Sequence, residues 1–150
     1  MEEVTPVIGQ AITSESLREF TDAYEEKKQL NAELKAMDAR AQKGKIPRRQ
    51  YKVQRRTIEI RLETLERNIN KIKDALRSTS SYADLVKQLD SAEEDQSDAE
   101  ENIKKLETGQ STGEISIETY KKNITEYQKR RDKAESTING ILLRLREKTR

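Results

Sequence analysis

The 150 residues are 32% hydrophobic and 39% charged, with 30 basic and 28 acidic side chains and a net charge of +2. Ordinary globular domains are about 45–50% apolar, so a compact core is hard to fill, and the composition selects between disorder and long thin helices buried along one stripe. Cys, His and Trp are absent, which removes disulfides, thiolate chemistry, the usual ligands of zinc, haem and iron–sulfur sites, and the commonest general base at neutral pH.

No apolar run approaches the roughly 20 residues that span a bilayer. The first residues, MEEVTPVIGQ, place acids where a signal peptide needs bases, so a cytoplasmic protein is expected. Residues 1–13 contain Pro6 and Gly9 and show no helical period. They read as a mobile tail, whose Val4, Val7, Ile8 and Ile12 form an alternative docking segment.

Periodicity then selects helices. The first is expected over 14–43, with Ser14 as N-cap and Glu15 in the first turn. Its stripe runs through Leu17, Phe20, Ala23 or Tyr24, Leu30, Leu34, Met37 and Ala41, and Gly44 ends it between Lys43 and Lys45. The second, 47–77, opens on Pro47, a residue suited to a first helical turn. Tyr51 is followed by Ile58, Leu62, Leu65, Ile69, Ile72 and Leu76 at alternating four- and three-residue steps, a heptad that only Arg55 breaks.

Ser78-Thr79-Ser80-Ser81 interrupts the pattern and places a chain reversal there, with an unbroken helix as the alternative. A third helix, 81–108, carries Tyr82, Leu85, Leu89, Ala92, Ala99, Ile103 and Leu106, with Gln96 in mid-seam. Gly109 and Gly113 bracket an expected polar loop. The fourth, 115–148, carries Ile117, Tyr120, Ile124, Tyr127, Ala134, Ile138, Ile141 and Leu145, with Arg131 on the seam. Leu142 and Leu143 widen its stripe, so it should touch more than one neighbour.

Shifted by 69 residues, the chain aligns with itself. Gly44, Ile46 and Tyr51 fall on Gly113, Ile115 and Tyr120, while Leu34 meets Ile103 and Met37 meets Leu106. Heptads match one another by construction. The Gly-x-Ile with its Tyr is not a heptad requirement and marks an internal repeat. In each copy the Gly permits the left-handed residue that ends a helix, and the Ile can pack back on the last turn. This turn resembles the small helical hairpins of the short C-terminal domain family found at the ends of bacterial proteins. That resemblance is confined to the residues around each turn and implies a role in oligomerisation.

The expected fold is therefore all-α: two tandem antiparallel hairpins of coiled-coil type, 14–78 and 79–150, as an elongated four-helix bundle or end to end. Association is expected along the seams, through Ile58, Leu62, Leu65, Ile69, Ile72 and Leu76 and through Ile138, Ile141 and Leu145. Two charged runs stand out. Lys43, Lys45, Arg48, Arg49, Lys52, Arg55 and Arg56 cluster at the first turn and are candidates for nucleic-acid or anionic-membrane phosphates, or else a solvated tip. Asp90, Glu93, Glu94, Asp95, Asp98, Glu100 and Glu101 lack the pattern of a calcium loop and read as a solvated helix face, paired in part with Arg61, Arg67 or the basic stretches of a neighbouring helix. Arg55, Gln96 and Arg131 read as register devices.

No catalytic constellation, phosphate loop or cofactor motif emerges, and no small-molecule substrate or cofactor is expected. The chain reads as a non-enzymatic scaffold or adaptor that works by self-association or on a protein partner. A polyanion-binding module using the tip at 43–56 is the alternative.

Overall fold

The computed structural model describes residues 12–149, so all of the expected tail but Ile12 and Thr13 lies outside the described residues. Of the described residues, 89% are helical. Four helices follow in order: α1 (Ser14–Gln42), α2 (Arg48–Arg77), α3 (Ser80–Thr112) and α4 (Ile117–Glu147), with no strand among the described residues. It divides into two compact units. The first holds α1, α2 and the chain from Leu145 onward, and the second is Ser80–Arg144.

Within the first unit, α1 and α2 form an antiparallel hairpin. As the α1 partner falls from Asp38 to Lys27 and Glu26, the α2 partner rises from Arg55 to Glu66 and Arg61. Arg61 holds Glu26 through two hydrogen bonds of 2.6 and 2.7 Å, and Lys27 meets Glu66 at 2.8 Å. The interior is deepest away from the turn, where Leu17, Phe20, Leu65, Ile69 and Leu76 are 0–3% exposed. Phe20 packs edge-on against Tyr24, with ring centroids 5.1 Å apart. Nearer the turn, Leu34, Met37, Ile58 and Leu62 are only half-buried, as expected where two helices cover each other on one side alone.

The last residues of α4, grouped by sequence with the second hairpin, belong to this first unit. Leu145 is buried, Arg146 pairs with Asp22 at 3.1 Å, and Arg18 donates to the Thr149 carbonyl at 3.5 Å. That third segment explains why the start of α1 is so well covered. Leu143, expected to widen the stripe, is instead 57% exposed.

Several boundaries differ from expectation. Thr13 rather than Ser14 caps α1, its hydroxyl accepting from the Ser16 amide at 3.0 Å. An unbroken helix does not pass through the serine run, because α2 ends at Arg77 and α3 begins at Ser80. The polar loop expected after Leu106 is helical, since α3 continues to Thr112 with Gly109 inside it. Lys73 was absent from the seam read by sequence, yet it is 6% exposed, while Ile72 is only half-buried. A helix of 3.6 residues per turn drifts about 20° per heptad against a 3.5 repeat, which carries the seam from position 72 towards 73. The aliphatic stem of lysine tolerates such a site.

Candidate functional site

The two hairpin turns share a backbone device and differ in everything around it. Gly44 and Gly113 have φ of +70° and +84°, in the left-handed region that ends helices. At the first turn the Lys45 amide donates to the Arg40 carbonyl at 2.9 Å and the Gly44 amide to Ala41 at 3.0 Å, a paired closure of the helix end. At the second, the Ile115 amide donates to the Gly109 carbonyl at 2.9 Å and Gly113 to Gln110 at 3.3 Å. This wrap, wider by one residue, brings Ile115 onto Gly109, where an added Cβ would stand 2.4 Å from the Ile115 Cδ1. Ile46, the equivalent residue of the first turn, is 8% exposed.

Around the second turn lies a small core, Ile103, Leu106 and Ile124, with Ile115, Tyr120 and Tyr127 against it. Helix α4 begins there by the ordinary rules. The Ser116 hydroxyl accepts from the Thr119 amide at 3.1 Å, and Glu118 sits in the first turn.

The first turn is built from charge. Residues 39–58 contain eight Lys and Arg and no Asp or Glu, whereas the equivalent stretch 108–127 contains two Lys and three Glu. Helix α2 opens on Pro47 without a side-chain cap, and its first turn has no acid but Arg48 and Arg49. Cations at a helix N-terminus oppose the macrodipole, and Arg48–Lys52 and Lys52–Arg56 repel as like charges four residues apart.

Of the seven cations singled out in the sequence, Arg55 is engaged within the hairpin. It donates to Asp38, which also accepts from the Tyr51 hydroxyl at 2.6 Å, and it meets Glu59 at 3.3 Å. The Asp38 hydrogen bond raises the pKa of Arg55, and the same carboxylate raises the Tyr51 phenol above its ordinary value. Arg55 is therefore a cross-hairpin clamp and not part of an open surface. Arg56 reaches Glu59 only at 4.0 Å, and its side chain is 63% exposed. Lys43, Lys45, Arg48, Arg49 and Lys52 are exposed and, among the described residues, have no ion pair. Arg40, which sequence reading left out of the cluster, is exposed beside them. It was legible as part of the same acid-free stretch.

The other polar seam residues behave differently. Gln96 donates across the second hairpin to Glu135 at 3.2 Å, while Arg131 turns to Asp132 beside it on its own helix. The acidic run lies on α3, with Glu94, Asp95, Asp98 and Glu101 exposed. Of the partners suggested for it, Arg61 is held by Glu26 and Arg67 bonds the Thr64 hydroxyl at 3.3 Å.

Two open grooves accompany the hairpins. One of about 540 Å³ runs along α3 and α4 past Ala92, Ala99 and Ala134 and is lined also by Asp95, Asp98, Arg130 and Lys133. The other, about 480 Å³, lies beside the first tip between Met37, Arg40, Val53 and Ile58. Among the described residues, no group of three or more His, Cys, Asp or Glu could hold a metal ion, and no helix is long and apolar enough to cross a membrane.

No protein-family model, no curated protein and no solved structure matches the chain. The likeness of the two turns to short C-terminal hairpins therefore assigns no family.

Proposed function

We propose that this chain is a non-enzymatic interaction protein whose helical hairpins act as a scaffold and whose first tip contacts a polyanion. One observation supports the reading above the others. At the tip, Arg48, Arg49 and Lys52 have no ion-pair partner among the described residues and stand at a helix start where the macrodipole and like-charge spacing disfavour them, while the second tip obeys those rules. Sequences break local rules chiefly at functional sites, where an outside partner supplies the missing compensation. Here the missing compensation is negative charge. The test is retention on immobilised heparin. Changing Arg48, Arg49, Lys52 and Arg56 together to Gln should lower the salt needed for elution, whereas Lys121→Gln with Lys122→Gln at the second tip should not. Equal elution of the two variants would sink the reading.

A second reading, assembly through helix–helix contacts between copies, has its own support on α2. Val53 and Ile60 are 61% and 48% exposed and stand one heptad apart. Thr57 and Thr64 continue that row, their hydroxyls bonded back to the carbonyls of Val53 and Ile60 at 3.0 and 3.2 Å. Such a row is a second, narrow seam suited to another helix. Light scattering across protein concentration is the measurement. Association that Val53→Glu with Ile60→Glu abolishes would support it, and a strict monomer would dismiss it.

A further inference from the structure

We infer that the polyanion at the first tip is the phosphate backbone of a nucleic-acid duplex, contacted without regard to base sequence; this rests on the polyanion reading above. Arg48, Lys52 and Arg56 follow one another at four-residue steps on α2, so they form a row with about 6 Å between neighbours. Arg49 lies beside that row, and Lys43 and Lys45 precede it in the turn. A rigid row of cations on a helix suits a linear row of phosphates, and three of the six are exposed arginines, whose planar forks bind phosphate oxygens in pairs.

The same geometry argues against single strands and membranes. Single strands are held largely by stacking bases on aromatic faces. At this tip the aromatic residue is Tyr51, half-buried and with its hydroxyl tied to Asp38. Stable membrane docking joins basic residues to an apolar anchor. The apolar side chain of the turn, Ile46, is folded inward at 8% exposure, and exposed Val53 lies more than a turn into α2. A partner that presents phosphates outward and keeps its bases inside meets what the tip offers.

Fluorescence anisotropy of the full chain with a labelled mixed-sequence duplex, a single strand of equal length and phosphatidylserine vesicles tests the assignment. If the six cations each displace a counterion, the logarithm of duplex affinity falls with the logarithm of salt at a slope of about −5. Affinity then drops on the order of 10³-fold between about 50 and 200 mM salt. Changing Arg48, Arg49, Lys52 and Arg56 to Gln should cut the slope by about 3–4. Helicity by circular dichroism should stay unchanged, since these side chains are exposed. The Lys121→Gln, Lys122→Gln chain should keep the full slope. Tighter binding to single strands or vesicles than to duplex would overturn this inference and leave the polyanion reading standing. Binding to none of the three, nor to heparin, would remove both. A slope that the fourfold change does not alter would overturn the placement at this tip.

Discussion

The two hairpin tips share a left-handed glycine and diverge in how they hold together. At the second, the turn seats Ile115 on Gly109, a small core gathers Ile103, Leu106 and Ile124, and Ser116 with Glu118 starts the next helix in the ordinary way. At the first, seam residues are half-buried, the helix start is uncapped, and exposed cations crowd it. One turn is organised around packing and the other around charge. The difference teaches that two turns can share a left-handed glycine while the surface around it is apolar in one and cationic in the other, because the glycine constraint is local and the flanking residues are free of it.

The comparison can be broken most sharply at the matched positions Leu106 and Met37. Leu106→Ala should cost about 2–4 kcal/mol in urea denaturation, and Met37→Ala no more than about 1, since the first leaves a cavity and the second faces water on one side. Equal losses would mean that both tips are packed alike. Two helical glycines sharpen the same point with opposite signs. Gly109→Ala should destabilise by about 1–2 kcal/mol as Ile115 is displaced. Gly140→Ala, in open space on α4, should stabilise by about 0.5–1 kcal/mol through helix propensity.

Charge should show its local cost at the first tip. Replacing Arg48 and Lys52 with Gln should stabilise the fold by about 0.2–0.5 kcal/mol per like-charge pair relieved, and added salt should reproduce part of that gain. A loss of stability would show that these cations serve the fold.

The smallest expected effect is on acid sensitivity. Hydrogen bonds from Arg61 hold the Glu26 carboxyl below its ordinary value, against a weaker opposing effect of burial. A carboxyl depressed in the folded state stabilises fully above its unfolded value, and that contribution disappears as pH falls through the folded one. Glu26→Gln should therefore lower the neutral plateau of a thermal-denaturation profile slightly and flatten its acid limb, so that the two profiles converge as pH falls. A steeper acid limb would contradict the pairing.

Much of this architecture was legible in the residues. Heptad steps from Ile58 to Leu76 and from Ile138 to Leu145 placed the helices, because burial along a stripe depends on spacing alone. Gly44 and Gly113 marked the turns, because few other residues accept a positive φ at a helix end. Lys73 and Gly109 were not legible. A lysine in a seam and a glycine inside a helix look like breaks until the helix phase and the neighbour, Ile115, are known. The cationic cluster was visible as a composition, yet it was not visible that Arg55 is held by Asp38 while Arg48, Arg49 and Lys52 have no ion pair among the described residues.

By itself, then, the sequence determined that the chain is helical, where it turns, and where its charges concentrate, since each depends on neighbours within a few turns of one helix. Only the tertiary structure decided which cations are neutralised, which apolar positions are deep, and that the end of α4 lies with α1 through Arg146–Asp22. Those outcomes depend on helix phase and on contacts between residues as far apart as Arg18 and Thr149, which no local pattern encodes.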